Sequence, residues 1–264
     1  MAVPAWIINL GTELCIGRTV NTNGSWLASR LTLLGADVRR IIVAPDTEDE
    51  AVPVIREAVE KARIIIITGG LGPTYDDRTA EFIARALGRR LRLNTEALRM
   101  VEEKYRAVGE PLTPERRKMA ILPEGATPIP NPIGTAPGIL IEADGYTLAA
   151  LPGVPAEMKE MFTRYIEPVL RRLLPPVCVV EHCIRVEGVM ESKAAPIVKR
   201  IARKHPRAYI KTHPEGREIG EPRIRICILL SAGECSEAEK EAKEILREAA
   251  EELSRLGGRV EQHA

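Results

Sequence analysis

At 264 residues, 45% of them hydrophobic, the chain is long enough for one large domain or for an ordinary domain followed by a smaller one, and either can bury a full core. Lys and Arg number 38 against 37 Asp and Glu, a formal net charge of +1, so no overall field directs the protein to nucleic acid or to an anionic membrane. No stretch approaches the roughly 20 apolar residues of a membrane span, and the N-terminus lacks the charged start and apolar run of an export signal, which predicts a cytoplasmic protein without a membrane partner.

Five cysteines (Cys15, Cys178, Cys183, Cys227, Cys235) are odd in number and form no CxxC pair, so the expectation is idle thiols rather than a disulfide framework or a zinc knuckle. Arg outnumbers Lys 28 to 10 and Gln262 is the sole glutamine, a composition that leans towards a heat-adapted source.

The first predicted element is a buried strand over Trp6 to Leu10, ending in Gly11-Thr12. Trp26, Leu27, Leu31 and Leu34 recur at helical spacing before Gly35, which predicts a helix over Thr22 to Leu34, and Val38 to Ala44 reads as a second strand. Asp46 or Thr47 can cap a helix bearing Val52, Ile55, Ala58 and Val59. Ile64 to Ile67 are four consecutive β-branched residues, apolar on both faces, and therefore a central strand. Helices are predicted from about Asp77 to Leu87 and Thr95 to Val108, then a proline-punctuated stretch, a hairpin pairing Gly138–Glu142 with Tyr146–Leu151, and a closing helix from Pro155 to Leu174. Strands alternating with helices make a mostly parallel sheet covered on both faces.

Pro175-Pro176 marks the boundary, since neither residue continues a helix, giving domains at 1–174 and 177–264. The second reads strand (Cys178 to Val186), helix (Glu191 to Lys204), strand (Arg207 to Thr212), strand (Arg223 to Ser231) and helix (Ser236 to Leu256), a small α+β module.

Elimination narrows the chemistry. All four histidines (His182, His205, His213, His263) lie past the boundary, and the first domain holds only two serines, Ser25 and Ser29, both inside a predicted helix. Serine–histidine and cysteine–histidine mechanisms are thereby disfavoured. Carboxylates, hydroxyls, lysines and backbone amides remain, a set suited to a hard, oxygen-liganded ion such as Mg²⁺.

The run Thr68-Gly69-Gly70-Leu71-Gly72-Pro73-Thr74 leaves the most buried strand and leads into a helix, where open α/β sheets bind ligands. Its glycines let backbone amides approach phosphate oxygens, although it matches neither GxGxxG nor the lysine-bearing P-loop. Asp76 and Asp77 follow directly and would repel a phosphate unless a divalent cation stands between them, or else one of them merely caps the helix. Glu13 occupies the corresponding place after the first strand. Asn21, Thr22 and Asn23 either cap the first helix or point at a ligand, and Arg117 and Lys118 either form a solvated helix face or neutralise a pyrophosphate.

Taken together, Gly11-Thr12-Glu13-Leu14, Val20-Asn21-Thr22-Asn23, Thr68 to Thr74 with Asp76-Asp77, Leu122 to Ala126, Asn131 to Gly138 and Leu151 to Met158 resemble the N-terminal domain of the CinA family, itself similar to the molybdopterin-binding domain of MoaB and MogA. The resemblance spans residues 5 to 172 and implies a three-layer α/β/α domain. It further implies metal-dependent hydrolysis of the pyrophosphate in ADP-ribose, with a pterin-binding or adenylyl-transfer role in molybdenum-cofactor assembly as the alternative.

Carried over, Thr68, Gly69, Gly70, Gly72 and Thr74 would hold phosphates. Asp76 and Asp77 would be metal ligands, with Glu13 and Lys118 beside them in catalysis, while Asn23, Thr135 and Glu157 would line the pocket. The chain ends before the nicotinamide mononucleotide deamidase domain of longer CinA proteins, so that activity is not expected. The second module resembles their small middle domain, to which we assign a homodimer contact or closure over substrate.

Overall fold

The computed structural model describes residues 3–262. The chain divides into two compact units, Met1–Thr32 with Ala36–Leu174, and Leu33–Gly35 with Pro175–Ala264.

In the first unit the elements run β1 (Val3–Leu10), α1 (Thr12–Cys15), α2 (Thr22–Leu33), β2 (Ala36–Ala44), α3 (Glu48–Lys61), β3 (Ile64–Thr68), α4 (Thr79–Ala86), β4 (Leu91–Leu93), α5 (Thr95–Ala107), α6 (Pro114–Lys118), β5 (Ile121–Pro123), β6 (Thr127–Ile129), β7 (Gly138–Ala143), β8 (Tyr146–Leu151) and α7 (Pro155–Met161). A π-helical turn (Phe162–Ile166) and α8 (Glu167–Leu173) complete it.

The main sheet has the order β2-β1-β3-β8-β7-β6. β2, β1, β3 and β8 run parallel, β7 pairs antiparallel with β8, and β6 pairs antiparallel with β7. The four isoleucines of β3 are fully buried, as a strand flanked by parallel neighbours and covered on both faces requires. Successive side chains point to opposite faces. Trp6, Ile8, Leu10, Ile65 and Ile67 accordingly pack with Ala51, Ile55, Phe82, Ile83 and Val101 of α3, α4 and α5. The alternate set, Ile7, Ile64 and Ile66, is equally buried. Its side of the sheet is that of α2 and the closing helix, whose Trp26 and Phe162 rings meet edge to face at 5.6 Å. This is the three-layer α/β architecture, with every parallel strand delivering its C-terminal end to one edge.

Two sequence expectations shift here. The helix expected from Asp77 begins at Thr79, because the Asp77 carboxylate accepts the Thr74 N–H instead of capping α4. The closing helix is interrupted by its π turn immediately ahead of Pro168, which has no N–H to give to the helical ladder. Glu167, at the junction, is buried between Arg30 of α2 (2.9 Å) and Arg171 (2.7 Å).

The second unit comprises β9 (Cys178–Glu187), α9 (Glu191–Lys204), β10 (Ala208–Pro214), β11 (Arg223–Ala232), α10 (Cys235–Arg255) and β12 (Arg259–Gln262). Its antiparallel sheet has the order β10-β11-β9-β12, and β12 was not expected. Ile184, Val186, Ile224, Ile226 and Ile228 pack under Ile197, Ile201, Ile245 and Leu253 of the helices.

The idle-thiol expectation is overturned in this unit, where Cys178 pairs with Cys235 and Cys183 with Cys227. The strand register places Cys183 opposite Cys227, a neighbourhood that spacing along the chain does not show. Cys15 alone stays free among the described residues. No helix among them is long and apolar enough to cross a membrane.

Candidate functional site

The turn after β3 is built to present amides. Gly69 and Gly70 both take positive φ, +104° and +63°, and a Cβ on Gly69 would stand 2.1 Å from the Leu10 carbonyl oxygen. Thr79 at the start of α4 fixes the turn from behind, its hydroxyl donating to Gly69 O (2.8 Å) and its N–H to Gly70 O (3.1 Å). The carbonyls are thereby occupied. The N–H groups of Gly70, Leu71 and Gly72 donate to no protein group among the described residues, and successive free amides in such a curve form an anion-binding concavity.

Acids follow on the same loop. The Thr74 hydroxyl contacts both the Asp76 carboxylate and, at 2.6 Å, Asp77 Oδ2. One hydroxyl hydrogen serves a single acceptor, so two carboxylates crowd a donor that satisfies only one of them. Hydrogen bonding from Thr74, then from its own backbone N–H, with the charge of Lys118 contributing, holds the Asp76 carboxyl below its ordinary value.

A cavity of about 660 Å³ opens in front of the turn. Its wall includes Glu13, Asn23, Asp46, Gly69, Gly70, Gly72, Asp76, Asp77, Thr135 and Glu157, drawn from the ends of β1, β2 and β3, the start of α2, the 131–136 loop and the first turn of α7. Five carboxylates line it and no Lys, Arg or His does. A phosphate about 4 Å from one carboxylate is opposed by roughly 4 kcal/mol at the effective dielectric of such a site. A hydrogen bond to a charged group returns roughly 1.5–3 kcal/mol. Amides alone therefore fall short against several acids, whereas a divalent cation among them reverses the balance. The donors are hard oxygens, which fits an ion such as Mg²⁺.

Most residues singled out from sequence converge on this wall, with three qualifications. Thr74 is not part of it, since its N–H and hydroxyl are committed to Asp77 and Asp76. Lys118 is absent from it as well. Its ammonium donates to the Thr74 carbonyl, bracing the loop, and it lines a second, smaller cleft that shares Gly70, Leu71, Gly72 and Asp77 with the cavity and also includes Arg78. Thr68 does line the cavity, but its hydroxyl is given to the buried Asn9 side chain (3.0 Å).

The contacts made by other residues emerge only in three dimensions. Asp46 accepts from the Thr12 N–H (3.2 Å) rather than capping α3. Asn131 uses its oxygen to collect the N–H groups of Ile133 (3.1 Å) and Gly134 (2.7 Å) while its amide donates to Glu157 Oε2 (2.7 Å), so it shapes the loop and fixes an acid at once. An Asn two and three residues ahead of a glycine-containing bend is the signal that could have found it. Asn21 caps α2 through Gly24 N–H (2.9 Å). Asn23 behaves differently: its amide donates to Gly153 O (2.8 Å), and its buried Oδ1 has no partner.

A family model described as probable molybdopterin binding domain matches residues 6–172, the segment that carries this cavity. The chain belongs to the probable molybdopterin binding domain family. The protein CinA of unknown function from Thermoplasma acidophilum has a solved structure that is 41% identical and superposes with a TM-score of 0.60, covering 64% of this chain and 98% of that one. A protein of Aeropyrum pernix is 48% identical over 256 residues, 97% of this chain and 96% of that protein. One from Sulfurisphaera tokodaii is 49% identical over 254 residues, 96% of this chain and 94% of that protein, so both of these relatives extend through the second unit as well.

Outside this molybdopterin-binding-type domain, Glu181, Cys183 and Cys227 bring ligand-type atoms within 4.8 Å of one another, but the two sulfurs are spent on each other as a disulfide. Desolvation, then the carboxylates of Asp46, Glu13 and Glu50, push the Cys15 thiol up and away from a nucleophilic thiolate.

Proposed function

We propose that the cavity binds a phosphate-bearing small molecule together with a divalent cation, and that the protein is a cation-dependent hydrolase of a nucleotide pyrophosphate with ADP-ribose as its substrate. One observation carries this reading: Gly70, Leu71 and Gly72, whose amides are free, line one cavity with five carboxylates and no basic side chain. The resemblance to CinA-type proteins names the substrate.

In this scheme the three amides hold phosphate oxygens, and Asp76 and Asp77 would hold the cation, which would supply positive charge against the phosphates. Glu157, pinned by Asn131, lines the same wall. The Glu13 carboxylate has no hydrogen bond or ion pair among the described residues, which leaves it free to take a proton from the attacking water. Water adds to phosphorus, the anhydride P–O bond breaks, and AMP and ribose phosphate leave. Incubating pure protein with ADP-ribose and Mg²⁺, Mn²⁺ or Co²⁺ and separating nucleotides by chromatography is expected to show AMP. Intact binding with no AMP under any of these ions refutes the hydrolase.

The family match favours a second reading, a pterin-binding or adenylyl-transfer protein of molybdenum-cofactor assembly. Titration separates the two, because molybdopterin then binds in preference to ADP-ribose. For the second unit we propose a homodimer contact in a cytoplasmic protein, measured by sedimentation of the full chain.

A further inference from the structure

We infer that Glu157 accepts a hydrogen bond from a hydroxyl of a phosphorylated sugar, and that Asn131 is a positioning residue that holds the carboxylate ready for it. The inference deepens the reading of the cavity as a phosphate site and rests on it.

The sheet brings this acid to the glycine turn. β8 is the neighbour of β3, with Leu151 opposite Thr68, and the Gly69 N–H donates to the Leu151 carbonyl (3.1 Å). Six residues after Leu151, in the first turn of α7, comes Glu157, half-exposed on the cavity wall. It is tied to the loop between β6 and β7, strands that lie beyond β8 on the side away from β1. Glu13 and Asp46 follow β1 and β2 on the other side of β3. Adjacent strands stand about 4.7–4.9 Å apart, which sets the scale of the step from the turn to its β8 flank.

A saturated side chain fixes the carboxylate. Asn131 is 6% exposed and uses every hydrogen-bonding position that an amide has. Its Nδ2 donates to Glu157 Oε2 (2.7 Å) and to the Ala136 carbonyl (3.0 Å), while Oδ1 accepts from the N–H groups of Ile133 (3.1 Å) and Gly134 (2.7 Å). A turned amide would set oxygen against oxygen at both of the first two contacts, so its orientation is determined. Glu157 Oε1 accepts from no group among the described residues.

The chemistry follows from polarity. An ionised carboxylate only accepts, so it opposes a phosphate oxygen and suits a hydroxyl. A compound whose phosphate takes the amides of the turn meets Glu157 with a group carried a few bonds away, and a ribose phosphate has a hydroxyl there. Inorganic pyrophosphate has the phosphates without that donor.

The test titrates full-length wild type, Glu157→Ala, Asn131→Ala and the double variant by calorimetry in Mg²⁺ with inorganic pyrophosphate, ribose 5-phosphate and ADP-ribose. Each single change is expected to weaken both ribose compounds about tenfold or more and to leave pyrophosphate no weaker. The double variant is expected to bind them no more weakly than Glu157→Ala does, the non-additivity of a residue that acts through another. Gly134→Ala reaches the same acid by a second route should Asn131→Ala fail to fold. Gly134 has no positive φ, and a methyl there would come 2.1 Å from Glu157 Oε2 and displace the carboxylate, so the same selective loss is expected.

Unchanged affinity for the ribose compounds in Glu157→Ala, or an equal fall for pyrophosphate, overturns the inference while the phosphate reading stands. Weaker Mg²⁺ binding by Glu157→Ala without any phosphate compound makes the acid a cation ligand and overturns it too. Additive losses in the double variant show that Asn131 supports the loop rather than the acid. Wild type that binds none of the three compounds removes the phosphate reading itself, and the inference falls with it.

Discussion

Replacing Gly72 by alanine separates the loop's backbone from its chemistry. Gly72 is not among the glycines with positive φ, so alanine suits its backbone, but the new methyl carbon would lie 2.6 Å from Asp77 Oδ2. The Asp77 side chain has to move, and in moving it gives up the Thr74 N–H (2.9 Å) and the Thr74 hydroxyl (2.6 Å). The Thr74 hydroxyl passes to Asp76, so one hydrogen bond of about 0.5–1.5 kcal/mol is lost, and about 0.4–1 kcal/mol returns because alanine restricts the unfolded chain. The net loss is under about 1 kcal/mol, a fall in Tm of no more than roughly 2–4 °C for a chain of this size.

Cation binding responds far more. At a Mg²⁺ concentration of about 100 times the wild-type Kd, binding stabilises the folded state by about 2.7 kcal/mol, and a tenfold weaker site leaves about 1.4 kcal/mol. Thermal unfolding with and without Mg²⁺ reads both effects: a small drop without the ion, and a Mg²⁺ increment cut to about half. An increment equal to that of wild type removes Asp77 from the cation site. A collapse in Tm without the ion refutes the argument that the backbone tolerates alanine.

The remaining predictions concern charge and cross-links. Asp76 is held below its ordinary value chiefly by Thr74, so Mg²⁺ binding persists as pH falls through the usual carboxylate range; Thr74→Val is expected to raise the pH midpoint of Mg²⁺ binding measured by titration, and an unmoved midpoint contradicts the cause given. Burial pushes the Glu167 carboxyl up, but hydrogen bonds from Arg171 and Arg30 outweigh it and the net shift is downward. Its stabilisation is thus complete above the unfolded value near pH ~4.3 and is lost as pH falls through the lower folded value. Glu167→Gln is expected to destabilise by about 2 kcal/mol in denaturant unfolding near pH 7, less than the roughly 3–5 kcal/mol of a fully buried pair because Arg171 remains 64% exposed. Thiol titration of the folded, unreduced protein is expected to find Cys15 alone, and all five cysteines after reduction in denaturant. Replacing Cys183 and Cys227 by serine opens a bridge of separation 44, worth about 4 kcal/mol in chain-entropy terms, read as a lowered unfolding midpoint.

Much of this architecture was legible because local signals agreed with one another. Ile64 to Ile67 can be satisfied only between parallel strands, Asp144-Gly145 leaves a turn between two apolar runs, and Glu191 to Lys204 repeats its apolar residues at helical spacing. The site was legible where it follows strand ends, as at Glu13, Gly69, Gly70 and Asp76. It was not legible where one side chain serves a distant backbone. Thr74 and Thr68 were expected to hold phosphate and Lys118 to neutralise it or to sit on a solvated face, and the folded loop gives each of them a protein partner instead. Asp46, 34 residues from Thr12, comes into place only because β1 and β2 are parallel and in register. The disulfides lay outside any reading of spacing for the same reason: their partners are neighbours across a sheet and at its helix junction, 44 and 57 residues apart.

Both covalent bridges fall in the unit without the cavity. A weld across any of the loops that assemble the pocket would hold them in one posture. Among the described residues the permanent fastenings lie in the other unit, and the glycine turn is held only by bonds that can be broken and remade.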